Sequence, residues 1–351
     1  MTNTLTGEHL TVENFGILDT NTMVKKYTLD NGHGQRISVI NLGGIITSLE
    51  IRDKAGNPID VVLGYDTLQE YVDDSFFIGC LVGRYANRIK DGTFELEGVK
   101  HQLEKNDGEN HLHGGVQGFH KAFWDIKPIT HEKDMGLLLT YTSADGEQAY
   151  PGALDVSVMY LLKQDALEIR YTANTTKTTI VNLTQHTYFN LNQDHEQSVL
   201  DHRLQLGAEH MLELDESSCP TGEILNVSDT LFDFRIPKQI GSFQDGNGHA
   251  TLAGYDHCYV LENQGALAKV AEFERADSLV KLEVWTTEPA IQLYTGNYLA
   301  STGKGGTTYD KHCGLCLETQ HHPDSPNHAH FPSTLLRPGE VFESTTQYRW
   351  G

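Results

Sequence analysis

Apolar and polar residues alternate with a period of two in several segments, and this pattern limits the chain to a fold built mainly from strands. In residues 167–173 the odd positions are apolar and the even positions are polar, and residues 280–285 alternate likewise until the last residue. Such alternation places one kind of side chain on each face of a strand. Residues 136–142 and 156–162 are apolar enough to form buried strands. Helical periodicity is confined to one candidate turn at residues 66–72.

Turn signals separate these segments and favour antiparallel pairing. Examples are Asp91-Gly92, Glu97-Gly98 and Asp145-Gly146, and the chain contains 33 glycines. Many short strands with few helices predict an all-β fold, a large antiparallel β-sandwich. No linker, shift in composition or internal repeat divides the 351 residues. We therefore expect residues 1–351 to form a single domain.

One strand-like segment near the end of the chain, residues 314–320, carries a carboxylate among apolar residues. In an extended strand Cys316, Glu318 and Gln320 share one face, and the residues between them share the other. A glutamate on a core strand must be paired, be raised in pKa or take part in chemistry. The alternative is a glutamate at the end of a strand whose carboxylate reaches solvent.

The charge balance restricts the partners of this chain. It has 26 basic and 48 acidic residues, a formal net charge of -22. That field repels nucleic-acid backbones and anionic lipid, so we expect neither nucleic-acid nor membrane partners. No apolar run approaches the length of a membrane span. A neutral or locally held small molecule fits this charge better.

The cysteines indicate the compartment. There are five, an odd number, scattered along the chain at positions 80, 219, 258, 313 and 316. A secreted, disulfide-stapled scaffold has a different pattern, and the first seven residues lack the basic and apolar regions of a secretory signal. We therefore predict reduced thiols in the cytoplasm. Cys313 and Cys316 form a lone C-x-x-C, which we interpret as neither a zinc site nor a redox site.

Several polar segments interrupt or border the predicted strands with groups able to bind a ligand. They are GRYANRI (83–89), NHLHGG (110–115), TQHTYFNL (184–191), GYDH (254–257) and GLCLETQ (314–320), the last preceded by PAIQLYTGN (289–297). Together and in this order they closely resemble the aldose 1-epimerase family, also called galactose mutarotases. The segments FHKAFW (119–124), FDFR (232–235) and PDSPNH (323–328) resemble the family as well. The resemblance runs from about residue 43 to beyond residue 340 and implies the supersandwich fold of that family.

The resemblance also implies roles for individual residues. Glu318 is expected to be the general base and His186 the general acid, with His113 hydrogen-bonding near the ring oxygen of a sugar. Four further residues are expected to contact the sugar, two of them holding its hydroxyls and two in support: Arg88 and Asp256, then Asn87 and Gln292. Planar hydrogen-bonding side chains of this kind suit a neutral sugar.

The chemistry of anomer exchange can be stated independently of the resemblance. One group removes the proton from the O1 hydroxyl, another protonates the ring oxygen, and the roles reverse after rotation about C1–C2. No metal, nucleotide or covalent intermediate is required, so we predict no cofactor and no metal site. Four histidines in a proline-containing stretch nevertheless resemble a metal cluster, and we interpret them as part of a loop lining the site: His321, His322, His328 and His330.

Purely structural roles remain open for several of these residues. His186 is also compatible with a satisfied core histidine beside two aromatic residues, Arg88 with a structural pair to Asp91, and Asp256 with a turn. Trp124 and Tyr294 could stack on a sugar or be ordinary buried aromatics.

Three other functions also remain open. They are an epimerase of hexose 6-phosphates, a non-catalytic sugar-binding protein, and a glycosidase using Asp256 with Glu318. The preference between galactose and glucose, a shared acid role for His113, and the choice between monomer and homodimer are not decided by the sequence.

Overall fold

The computed structural model describes residues 2–4, 9–19, 22–243 and 252–351. Within these ranges the chain forms 31 strands and one α-helix. The first strands are β1 (Thr2–Thr4), β2 (Leu10–Ile17), β3 (Met23–Asp30), β4 (Arg36–Ile40), β5 (Ile46–Arg52), β6 (Pro58–Asp60), β7 (Leu81–Val82), β8 (Arg88–Ile89), β9 (Thr93–Leu96), β10 (Val99–Gln102) and β11 (His111–Leu112). The middle strands are β12 (Asp125–His131), β13 (Asp134–Ser143), β14 (Leu154–Leu162), β15 (Ala166–Thr175), β16 (Thr179–Ile180), β17 (Thr184–Gln185), β18 (Tyr188–Phe189), β19 (Arg203–Leu206), β20 (His210–Leu214), β21 (Pro220–Asn226) and β22 (Lys238–Gln239). The last are β23 (Asp256–Val260), β24 (Ala268–Glu274), β25 (Lys281–Thr286), β26 (Ala290–Tyr294), β27 (Ser301–Thr302), β28 (Thr308–Tyr309), β29 (Leu315–Gln320), β30 (Leu335–Leu336) and β31 (Phe342–Trp350).

Helical structure is sparse among the described residues, as the sequence predicts. The single α-helix in these ranges is α1 (Leu68–Asp73). It begins two residues after the start, and ends one residue after the end, of the helical turn predicted at residues 66–72. Thr67 and Glu70 form a capping box at its start, with the Thr67 amide donating to Glu70 Oε2 at 2.8 Å. Short 3₁₀ turns occur at Lys90–Gly92, Glu147–Ala149, Val199–Asp201, Ile240–Phe243, Lys304–Gly306 and Ser325–Asn327. No helix in the described ranges is long and apolar enough to cross a membrane.

Three large antiparallel sheets form the body of the protein. A ten-stranded sheet has the order β1-β12-β13-β14-β15-β31-β25-β24-β19-β22. A six-stranded sheet has the order β18-β29-β26-β23-β20-β21, and a five-stranded sheet runs consecutively from β2 to β6. The prediction of an all-β, antiparallel architecture is therefore confirmed.

The six-stranded sheet packs face to face on the ten-stranded sheet. Leu317 of β29 and Tyr348 of β31 belong to one continuous core, and the Tyr348 hydroxyl donates to the Leu317 carbonyl at 3.3 Å. Thr319 and Thr346 join the same two strands through their hydroxyls at 2.6 Å. These contacts hold one face of β29 against the ten-stranded sheet, while β18 and β26 are its neighbours within its own sheet.

The predicted alternation matches the observed burial. In β15 the side chains of Leu167, Ile169, Tyr171 and Ala173 enter the core. Glu168 is the exception on the opposite face, because its carboxylate is buried beside a cluster of donors. That cluster consists of Lys163, Arg170 and Gln347. Burial of that acid is compensated by partners, as a buried charge requires.

The glycines after His113 serve backbone packing. Gly114 has a φ of +81°, and a methyl group there would overlap the Gly83 carbonyl oxygen. Gly115 has a φ of +94°, and a methyl group would collide with the Gln148 amide. The close neighbours of both glycines therefore belong to the protein itself.

Replacing Gly114 by alanine should therefore lower the free energy of unfolding by more than about 2 kcal/mol, from left-handed strain plus a backbone clash. Gly98, on the β9–β10 turn, is the matched control, with a φ of +79° and no atom within 4 Å of an added methyl group. Gly98→Ala should cost only about 1 kcal/mol. Urea unfolding of both variants measures the difference, and equal losses would contradict the packing role of Gly114.

Candidate active site

A cavity of about 210 Å³ opens beside one face of the six-stranded sheet. Six of the seven residues predicted from the sequence line it: Asn87, Arg88, His113, His186, Asp256 and Glu318. They come from five separate stretches of the chain, so the fold brings together residues that lie up to 231 positions apart (318 minus 87).

Strand β29 places Glu318 at the base of this cavity. Gln292 of β26 is its register partner on one side, and β18 pairs with the other edge of β29 at Cys316. Cys316 packs in one hydrophobic cluster and Leu317 in another, which confirms the predicted division of the strand into two faces. The Glu318 side chain is only 3% exposed, so the alternative of a carboxylate in open solvent is wrong.

His186 lies in the connection between β17 and β18 and is held by its backbone. Its amide donates to the Cys80 carbonyl at 2.9 Å, and its carbonyl accepts from the Gly79 amide at 3.0 Å. Its ring Nε2 lies 3.7 Å from Glu318 Oε1, and its Nδ1 lies 3.5 Å from the Cys316 sulfur. The imidazole therefore faces the carboxyl group across the base of the cavity.

Burial disfavours charge on both members of this pair. It raises the pKa of Glu318 well above its usual value, with Asp256 adding to the effect and Arg88 opposing it. Burial lowers the pKa of His186 to about 4. Burial therefore favours the uncharged form of both groups in the free site. Glu318 Oε2 has no hydrogen-bond partner among the described residues.

His113 presents a hydrogen-bond donor to the cavity. Its Nδ1 accepts from the Asn87 amide at 3.2 Å, and its own amide donates to the Asn87 carbonyl at 3.2 Å. Burial, then the neighbouring His186 and Arg88, lower the pKa of His113 well below its usual value. Because a neutral imidazole carries one hydrogen and Nδ1 is an acceptor, that hydrogen is on Nε2.

Arg88 is fixed from two sides by carboxylates. Its Nε donates to Asp107 at 2.7 Å, and its Nη1 lies 3.8 Å from Asp256. Burial opposes the charge of Arg88, but Asp256 and Asp107 outweigh it and raise its pKa. The pairing with Asp91 that the sequence leaves open is not formed; Arg88 pairs with Asp107 and Asp256.

Gln292 is not among the residues that line this cavity. It is 3% exposed and donates through Nε2 to Asp256 at 2.6 Å, so it holds a carboxylate that does line the cavity. Its supporting contact with a sugar stays a prediction.

The remaining lining residues include groups that the sequence analysis missed. Asp107 lies on a glycine-containing polar turn just before β11, which is a typical position for a binding residue. Phe76 and Phe77 follow α1 and form an apolar wall. Tyr294 lines the cavity, in agreement with one of its open interpretations, whereas Trp124 is fully buried in the core.

Three ligand-capable atoms of the site lie within metal-binding distance of one another. They belong to His113, His186 and Glu318, all within 4.8 Å. The hydrogen on His113 Nε2 and the raised pKa of Glu318 both oppose metal coordination, which needs deprotonated ligands.

The histidines of residues 321–330 are not among the residues that line the cavity, so their interpretation as a lining loop is wrong. His321 instead pairs with buried Glu288 at 2.6 Å.

The two cysteines of the C-x-x-C segment have separate surroundings. Cys316 contacts His186, whereas the Cys313 thiol donates to the Glu196 carbonyl at 3.3 Å. All five cysteines are free and buried.

Comparison with known proteins gives a consistent result. The family model described as Aldose 1-epimerase matches residues 25–349. The chain is 42% identical over 329 residues to galactose mutarotase of Bos taurus, covering 93% of this chain and 94% of the relative. It is 38% identical over 330 residues to aldose 1-epimerase of Escherichia coli K12, covering 92% and 94%. Its fold is similar to that of galactose 1-epimerase from Lactobacillus acidophilus, with a TM-score of 0.85, 28% identity and coverage of 97% and 98%.

Proposed function

The chain belongs to the aldose 1-epimerase family and is an isomerase that interconverts sugar anomers, and we propose that Glu318 and His186 are its general base and general acid. The proposed substrates are free hexoses such as galactose and glucose. The observation that supports the two roles is the buried contact of 3.7 Å between Glu318 Oε1 and His186 Nε2 in the cavity.

Ring opening and ring closure each use the pair once. The Glu318 carboxylate takes the proton of the O1 hydroxyl while the C1–O5 bond breaks and His186 donates a proton to O5. The product is the open-chain aldehyde. After rotation about C1–C2 the C1–O5 bond re-forms on the other face, His186 recovers the proton from O5, and Glu318 returns its proton to O1.

The protonation states explain how one site serves both half-reactions. Ring opening converts carboxylate and imidazolium into carboxylic acid and neutral imidazole, the state that burial favours in the free site. The two states hold the same number of protons, so a single proton shift between Glu318 and His186 connects them. Hydrogen bonds from sugar hydroxyls stabilise the carboxylate when the cyclic sugar is bound.

The other lining groups are suited to recognition. The Nε2 hydrogen of His113 is a donor for the ring oxygen or a neighbouring hydroxyl, in keeping with the role predicted from the sequence. Arg88 supplies donors and Asp256 supplies acceptors for ring hydroxyls, while Asn87 holds His113. A sugar isomer that fails to pair with these buried groups loses affinity.

The charge of the cavity argues against a hexose 6-phosphate. Among the described lining residues Arg88 is the sole lysine or arginine, and it already faces Asp107 and Asp256. Arg84, the other arginine of that segment, is buried and donates to main-chain carbonyls of residues 143–152. A phosphate dianion would therefore meet more negative than positive charge.

Further properties follow as proposals. We propose that residues 1–351 act as one domain and that the protein works in the cytoplasm, where its five free thiols stay reduced. Monomer and homodimer are both compatible with a site whose proposed groups come from one chain.

Glu318→Gln should abolish most anomer exchange, because an amide cannot accept the O1 proton. His186→Asn should do likewise, because it removes the acid that protonates O5. We expect losses of at least about a hundredfold in kcat, within the range for removal of a general acid or base. Polarimetry on freshly dissolved α-D-galactose measures the rate.

Circular dichroism and sugar binding by calorimetry serve as controls, since both variants should remain folded and bind galactose. Wild-type turnover by Glu318→Gln would contradict the base assignment. Sugar binding without acceleration by the wild-type protein would favour the non-catalytic alternative, and release of nitrophenol from an aryl galactoside would favour the glycosidase.

Asp107→Ala should raise the KM for galactose about tenfold with a smaller change in kcat, because it frees the Arg88 guanidinium from its 2.7 Å anchor. Glu109→Ala is the matched control, since Glu109 is an exposed acid of the same turn that pairs with Lys105. Asp107→Asn keeps an acceptor oxygen and should fall between the two. Equal KM values for Asp107→Ala and Glu109→Ala would contradict the anchoring role.

Treatment with a chelator should leave the rate of mutarotation unchanged, because the proposed steps are proton transfers between side chains and sugar. The measurement is polarimetry before and after dialysis against EDTA. Activity that is lost on dialysis and restored by zinc would show that the cluster of His113, His186 and Glu318 works as a metal site.

A further inference from the structure

Phe77 adopts an uncommon backbone conformation at the cavity. Its φ is +60°, in the left-handed region that bulky side chains rarely occupy. It follows α1 in the segment 74–78, and its ring forms part of the cavity wall. Backbone strain at a bulky residue persists only where the surrounding structure enforces it.

The surrounding structure does enforce this conformation. The Asp74 carboxylate accepts from the amides of Phe76 and Ile78, at 3.1 and 3.0 Å, on either side of Phe77. Lys121 holds the preceding turn in place, because its ammonium group donates to the Val72 carbonyl at 2.8 Å and to the Asp74 carbonyl at 3.4 Å. The Phe77 carbonyl accepts from the Cys80 amide at 3.3 Å. Cys80 also accepts the backbone hydrogen bond of His186, so the Phe77 loop and His186 share an anchor.

The Phe77 ring touches three imidazoles. Its centroid lies 4.8 Å from that of His113, 5.9 Å from that of His186 and 4.7 Å from that of His120. His113 and His186 meet edge to face at 5.3 Å. Phe77 therefore packs against both histidines of the site, which also contact each other.

We propose that Phe77 is a positioning residue that orients the His113 and His186 imidazoles and excludes water from them. The proposal rests on the proposed function only for its kinetic consequence. Its structural part, control of the two ring environments, is independent of any reaction.

Exclusion of water has a measurable electrostatic effect. Burial is the main cause of the lowered pKa of both histidines. The Phe77 ring contacts both imidazoles, so its removal should admit water and let the charged forms be solvated. The other titratable groups that face His186 are Glu318, Cys316, His113, His120, Tyr188 and Tyr294.

The test is titration of the histidine ring resonances by NMR in Phe77→Ala and Phe77→Leu, without sugar. In Phe77→Ala the pKa of His186 should rise from about 4 toward its ordinary value, near 6.5. Phe77→Leu keeps most of the apolar volume, so it should remain folded even if Phe77→Ala does not. It should give a smaller rise in the His186 pKa. Phe76→Ala is the matched control, because it removes an adjacent aromatic ring of the same wall for which the described residues show no ring contact with these histidines. Its effect on the His186 pKa should be clearly smaller than that of Phe77→Ala.

Kinetics gives the second readout. Phe77→Ala should lower kcat about tenfold or more with a smaller change in KM, since small displacements of reacting groups are costly. An unchanged His186 pKa in Phe77→Ala, or a rise equal to that in Phe76→Ala, would overturn the proposal. A wild-type protein without epimerase activity would overturn the proposed function. The NMR titration would still test whether Phe77 controls the histidine environments.

Discussion

A carboxyl group buried on an interior strand of a sheet is the constraint on which the rest of the site depends. Strand β29 pairs with β26 along residues 316–320 and with β18 at residues 315 and 316, and Glu318 Oε2 accepts no hydrogen bond from the described residues. The carboxyl group therefore depends on side chains brought from elsewhere. Its raised pKa follows from this burial, and the His186 imidazole faces it, with Nε2 3.7 Å from Glu318 Oε1.

The sheets are the reason that these side chains can be held so close together. Rigid strands carry Glu318 and Asp256, and short connections between strands carry His113 and His186. Three non-glycine residues of the cavity, Phe77, Asn87 and His113, have φ values between 50° and 64°. Such conformations point side chains in directions that a strand or helix does not allow, and the surrounding hydrogen bonds maintain them.

The strands and the central carboxylate were predictable because both depend on local pattern. Alternation in residues 167–173 predicts a half-buried strand with Leu167 and Ile169 on its buried face. Both residues lie in the core of the structure. Glu318 stood out as an acid where a core residue was expected. Phe77 was missed because nothing in its neighbouring residues marks it, and Asp107 was missed because a polar turn is only a weak signal of a binding residue. Their importance lies in contacts with Arg88 and with two histidines far away in the sequence.

The sequence by itself determined the all-β architecture, the two faces of β29 and, through the family resemblance, six of the residues that line the cavity. Period-two alternation is a local property, and a run of motifs can be read without knowing where they meet. Only the tertiary structure decided that Gln292 donates to Asp256, that His113 carries its hydrogen on Nε2, and that Gly114 packs on Gly83. These features depend on distances between segments remote in the chain, which arise only when the sheets are assembled.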